Sequence, residues 1–87
     1  MAIQTVGIVG AGQMGNGIAQ ACAQAGLQAV VQDVNEAALA RALKTVSGSL
    51  DRAVRKGTLT EAGKDEVMGR IRTTTAAQDL AQVDLVI

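Results

Sequence analysis

The sequence predicts an α/β domain, a parallel sheet with helices on both faces. Three observations lead there. Short runs rich in β-branched residues recur at 3–9, 29–32, 70–75 and 83–87. Between them, apolar residues return every three or four positions, which is helical spacing. The run GAGQMG, residues 10–15, stands where the first strand gives way to the first helix.

Residues 3–9 read as a buried strand: Ile3, Val6, Ile8 and Val9 are β-branched, and the glycine turn closes the run. From 13 to 26 the spacing becomes helical. Gly15, Ile18, Ala19, Cys22, Ala23 and Gly26 share one narrow face of small side chains, which lets a helix lie close to a sheet. Gly26 is a natural stop. Residues 29–32 form the second strand, closed by Asp33. Asn35 is suited to cap the next helix, and Glu36 complements the dipole in its first turn. Leu39, Leu43, Val46, Leu50 and Val54 supply an apolar stripe.

Continuous to Lys56, that helix has about 22 residues and runs roughly 33 Å. This exceeds what one sheet-covering helix needs, so part of it is expected to project beyond the sheet. Ser47-Gly48-Ser49 weakens its middle. Gly57 ends it, and Thr60 caps a shorter helix to about Gly69, in which Gly63 costs about 1 kcal/mol of helix propensity relative to alanine. Residues 70–75 suit a third strand, 75–81 a connector with a helical turn, and 83–87 (VDLVI) the start of a fourth.

Composition excludes several functions. The apolar fraction is 48%, yet Phe, Tyr and Trp are absent, so the core must be aliphatic. Eight basic and eight acidic residues cancel, which removes the electrostatic case for nucleic acid or an anionic membrane. No run approaches the roughly 18 apolar residues of a membrane span, and the N-terminus lacks the pattern of a secretory signal. One cysteine cannot form an internal disulfide, which fits a reducing compartment and points to the cytosol. Cys22 lies on an apolar helix face, where a free cysteine acts as a small hydrophobe. No metal site is expected. The chain reads as one small domain or part of a larger one, without repeat or linker.

In a chain with 10 glycines, a G-x-G-x-x-G pattern alone is a weak signal. Its setting strengthens it. The pattern follows a strand, opens a helix and is answered by Asp33, 23 positions after Gly10, near the roughly 20 of a dinucleotide-binding unit. Each residue has a physical task. Gly10 permits the tight turn, Gly12 lets a pyrophosphate reach the backbone, and Gly15 lets the helix pack on the strand. Ala11 completes the turn. Free N–H groups around Gln13 and Met14 point at the anion, aided by the helix dipole. Met14 is otherwise expected to pack. Asp33 would accept hydrogen bonds from the adenosine ribose and repel a 2′-phosphate, and no basic residue follows immediately to offset it, which favours NAD over NADP. The plainer alternative is a glycine turn that serves packing only, with Asp33 solvated at a strand end. The implied architecture is a Rossmann-type sheet, incomplete at about four strands, with a projecting helical pair between strands 2 and 3.

The run VGIVGAGQMGNGIAQACAQAGLQAVVQDV resembles the start of the NAD-dependent 3-hydroxyacyl-CoA dehydrogenases, particularly the bacterial 3-hydroxybutyryl-CoA dehydrogenases. ALKTVSGSLDRAVRKGTLTEA, RIRTTT and DLVI resemble that family too, in the same order, so the similarity covers essentially the whole chain. The resemblance implies hydride transfer between (S)-3-hydroxyacyl-CoA and NAD. It also implies a helical dimerisation domain after the NAD-binding domain, and a helical pair that helps hold coenzyme A. A serine and a lysine on that pair are the family's coenzyme A contacts, and they fall on Ser49 and Lys56. Arg52, Arg55 and Lys56 make this helix end basic, which suits an anion but equally suits a solvated helix C-terminus.

The family's catalytic histidine, held by a glutamate, lies downstream of its fourth strand. This chain contains no histidine. Residues 1–87 are therefore expected to be the N-terminal part of the NAD-binding domain, inactive alone, with the catalytic remainder and dimerisation domain lying elsewhere. The last strand is then expected to be an edge through which the chain dimerises or self-associates. Two alternatives stay open: a non-catalytic module binding a nucleotide or a partner, and the NAD domain of another β-hydroxyacid dehydrogenase.

Overall fold

Strands that run the same way bring their carboxyl ends to one edge of a sheet, and that edge organises this chain. The computed structural model describes residues 3–87. Four strands, β1 (Thr5–Val9), β2 (Gln28–Gln32), β3 (Ile71–Thr74) and β4 (Leu85–Val86), form one sheet in the order β3-β2-β1-β4. All three pairings are parallel. Thr5 pairs with Gln28 and Val9 with Gln32, so β1 and β2 end level. The glycine turn and Asp33 consequently emerge side by side.

Three helices, α1 (Gln13–Gln24), α2 (Glu36–Lys56) and α3 (Glu61–Gly69), pack on one face. Val6, Ile8, Val31 and Ile71 from the strands meet Ala19 and Ala23 of α1, Leu39, Val46 and Leu50 of α2, and Val67 of α3. Each fully buried Leu, Ile or Val contributes about 1.5–3 kcal/mol, and α1 presents alanines where it must come closest. A 3-10 helix, Ala77–Gln82, covers the opposite face. There Leu80 and Val83 fill the space beside Gly7, where an added Cβ would meet both at 2.9 Å.

The end signals act as read. Asn35 Oδ1 accepts from the Ala38 N–H at 3.1 Å and caps α2. Helix α2 runs its 21 residues unbroken through Ser47-Gly48-Ser49. Its exit at Gly57 is closed by Gly57 N–H to Val54 O and Thr58 N–H to Ala53 O, both 3.0 Å. Its buried residues end at Leu50, and none of residues 51–56 is buried. Thr60 Oγ1 accepts from the Gly63 N–H at 3.0 Å and caps α3. Lys64 donates to Asp51, tying α3 to α2.

Strands β2 and β3 fall within one residue of their expected ends, while β1 and β4 are shorter than expected by more. Strand β1 starts at Thr5, leaving Ile3 exposed outside it, and Val9 is exposed at its far end. Strand β4 has two residues rather than five. The Asp84 carboxylate explains the shortening. The Asp84 N–H still donates to Thr5 O at 2.9 Å, but its Oδ2 accepts from the Gln4 and Thr5 N–H groups at 2.8 and 3.0 Å, so a side chain takes the donors that a longer β4 backbone would have paired. At the other end, Val9 N–H to Ile87 O and Ile87 N–H to Gly7 O, 3.0 and 2.8 Å, carry the hydrogen bonding past Val86.

Candidate functional site

The three motif glycines have three different surroundings. Gly10 takes φ +98°, a conformation that costs a side-chain-bearing residue free energy, and its N–H donates to Gln32 O at 2.7 Å. This turns the chain sharply off β1 while keeping it tied to β2. At Gly15 an added Cβ would fall closer than 3 Å to the Gly10 carbonyl oxygen, so only glycine lets α1 start this near the strand. Gly12, the N-cap of α1, has nothing within 4 Å of an added Cβ. Its missing side chain leaves open space.

That space faces unsatisfied donors. No side chain caps α1, and its first internal bond is Asn16 N–H to Gly12 O at 2.9 Å. The N–H groups of Gln13, Met14 and Gly15 therefore lack intrahelical acceptors and lie at the positive end of the helix dipole. The Met14 side chain is 81% exposed. The expectation that it packs is thus wrong: at the helix start it projects outward, and only its backbone faces the turn.

Asp33 stands across from this turn. Its Oδ2 accepts from the Ala11 N–H at 2.9 Å, and its Oδ1 from the Asn35 N–H at 2.9 Å. Those two backbone donors, Ala11 first, hold its carboxyl below the ordinary aspartate value. It is ionised and fixed in direction. Each oxygen retains a lone pair for a further donor.

Together these residues form one wall of a cavity of about 440 Å³, with Ala11, Gly12, Gln13, Asn16 and Asp33 on one side and Ala38, Arg41 and Thr45 of α2 on the other. Asn16, Arg41 and Thr45 escaped the sequence reading. Ala38, Arg41 and Thr45 recur at helical spacing, a signal that becomes usable once β1 and β2 are known to end level. Asn16 left no such trace. Its Oδ1 is buried without a hydrogen-bond partner.

Ser49 and Lys56 lie further along α2, seven residues or about 10.5 Å apart on one face, with Arg52 between them. Ser49 Oγ accepts from Gln20 Nε2 at 3.0 Å, so the hydroxyl is held at the crossing of α1 and α2 with its proton still available. Arg52 and Lys56 are exposed. Cys22 is half-buried against the core, as its position on α1 suggested.

A parallel sheet in which β2 and β4 flank β1, with a glycine turn after β1 and a carboxylate after β2, defines a dinucleotide-binding α/β domain of the Rossmann class. The chain belongs to the 3-hydroxyacyl-CoA dehydrogenase family: the sequence model described as "3-hydroxyacyl-CoA dehydrogenase, NAD binding domain" matches residues 5–87. It is 45% identical over 85 residues to a 3-hydroxybutyryl-CoA dehydrogenase of Bradyrhizobium diazoefficiens, covering 98% of this chain and 29% of that protein. A Mycobacterium tuberculosis protein of the same name is 44% identical over 86 residues, covering 99% and 30%. The crystal structure of (S)-3-hydroxybutyryl-CoA dehydrogenase from Ralstonia eutropha superposes with a TM-score of 0.95 at 52% identity, covering 98% of this chain and 30% of that one. The chain thus spans under a third of the relatives it matches.

Proposed function

We propose that this chain is the NAD-holding part of an oxidoreductase that interconverts (S)-3-hydroxyacyl-CoA, 3-hydroxybutyryl-CoA in the first instance, and 3-oxoacyl-CoA. The observation that carries the reading is the convergence of Gly10, Gly12, Gly15 and Asp33 on one edge of the sheet. The open space at Gly12 admits a diphosphate, and the N–H groups of Gln13 and Met14 donate to it. Ala11 and Asn35 aim the Asp33 carboxylate, which accepts the ribose hydroxyls, while its charge opposes a 2′-phosphate. Bound NAD supplies the hydride acceptor. Residues 1–87 orient it, and with no histidine among them the proton acceptor belongs to another part of the protein.

The same reading assigns coenzyme A to the far end of α2. Ser49 offers its hydroxyl proton, and Lys56, with Arg52 beside it, offers positive charge to the coenzyme's phosphates. The cytosol is the compartment, and the edge of β4 is a surface for self-association. Titrating NADH into the protein and following its fluorescence tests the cofactor site. Asp33→Asn removes a charged acceptor for two hydroxyls and should weaken binding about tenfold or more. Equal affinity in the variant would take Asp33 out of the site.

A further inference from the structure

Two opposite charges line the cavity at the turn, and among the described residues only one of them has hydrogen-bond or ion-pair partners. Asp33 already accepts from Ala11 and Asn35. Arg41, in the second turn of α2 and eight residues beyond Asp33, is exposed and enters neither ion pair found among the described residues, Lys64–Asp51 and Arg70–Glu66. One turn further on, Thr45 brings a hydroxyl to the same wall. Asn16 lines the same cavity from α1.

We propose that Arg41 and Thr45 form a latent site for a phosphate on the adenosine ribose, so that rejection of NADP rests on the charge of Asp33 alone. The inference builds on the NAD reading above. A guanidinium presents a rigid fork of N–H donors matched to phosphate oxygens, and a nearby arginine is how folds of this class accommodate a 2′-phosphate. Here the fork is present, but a carboxylate shares its cavity and repels the dianion. Neutralising that carboxylate leaves the phosphate facing a cation and a hydroxyl.

The experiment measures NADH and NADPH affinities for the wild-type protein, Asp33→Asn, Arg41→Ala and the double variant. Asp33→Asn keeps a carbonyl oxygen for the Ala11 N–H. It should narrow the preference for NADH by tenfold or more, and adding Arg41→Ala should restore at least tenfold of it. Should Asp33→Asn fold poorly, Arg41→Ala alone still decides. This exposed position should lose affinity for 2′,5′-ADP more than for 5′-ADP. No narrowing in Asp33→Asn, a narrowing that survives loss of Arg41, or equal losses for the two nucleotides overturns the inference while leaving the NAD site intact. A wild-type protein that binds neither dinucleotide overturns the site reading itself, and this inference with it.

Discussion

Gly12 and Gly15 stand three positions apart and should fail in different ways. Alanine at 12 meets nothing within 4 Å, so the fold should survive while its methyl occupies the space a phosphate needs. Alanine at 15 collides with the Gly10 carbonyl and must push α1 off β1, an overpacking that costs about 1–3 kcal/mol. Thermal unfolding followed by circular dichroism, run beside an NADH titration, separates them: Gly12→Ala keeps its melting temperature and loses binding, whereas Gly15→Ala melts several degrees lower. Acid sensitivity also originates in single residues. Backbone donors depress the carboxyls of Asp33 and Asp84, from Ala11 and Asn35 in one case and Gln4 and Thr5 in the other. A depressed folded value means stability present above the unfolded aspartate value of about 3.9 and lost as pH falls through the lower folded value. Asp84→Asn should flatten the decline in melting temperature below about pH 4 while changing little of its slope near neutrality. The motif residues were legible in the sequence because each has a local task. Arg41 and Asn16 were not, because their meeting across the cavity depends on how α1 crosses α2, which no local spacing encodes.

The long helix shows the same division one scale up. Its ends were readable, since Asn35 and Gly57 act on backbone groups within four residues of themselves. Its continuity through Ser47-Gly48-Ser49 was in doubt, because a weak stretch holds only where packing holds it. Here Leu50 is fully buried and Gln20 braces Ser49. Gly63 in α3 is a similar case. Weak by propensity, it sits where an added Cβ would meet Leu59 Cδ1 at 2.8 Å, so the small residue serves the loop that folds over it. The far end of α2 carries its own prediction. If Lys56 and Arg52 meet coenzyme A phosphates, Lys56→Ala in a full-length, catalytically active protein should raise the KM for acyl-CoA roughly tenfold and reduce its salt sensitivity, with kcat little changed. Steady-state kinetics at two ionic strengths reads both quantities. A KM unmoved at low salt would return the basic cluster to its plainer role of complementing the helix dipole.

At the scale of the molecule, the sheet treats its two edges differently. Strand β3 carries Arg72 among threonines, a composition that discourages further pairing. Strand β4 is the other edge, and there Leu85, Val86 and Ile87 are 43%, 51% and 52% exposed beside an exposed Val9. Apolar side chains and unpaired backbone groups thus coincide along one border of a chain with zero formal net charge, where no long-range repulsion keeps copies apart. Pairing through β4 would bury both features at once. Sedimentation of residues 1–87 should therefore show reversible association that rises with concentration, and Val86→Lys, which sets a charge on that border without touching the helix-side core, should return the species to monomer. The choice of position matters: Val86 pairs with Gly7, and no residue of β4 is buried, so the substitution leaves the core packing in place. Association that persists unchanged in Val86→Lys would move the contact to another surface, and a wild-type chain that stays monomeric at high concentration would show that the short, Asp84-pinned strand is too small a template to recruit a second copy.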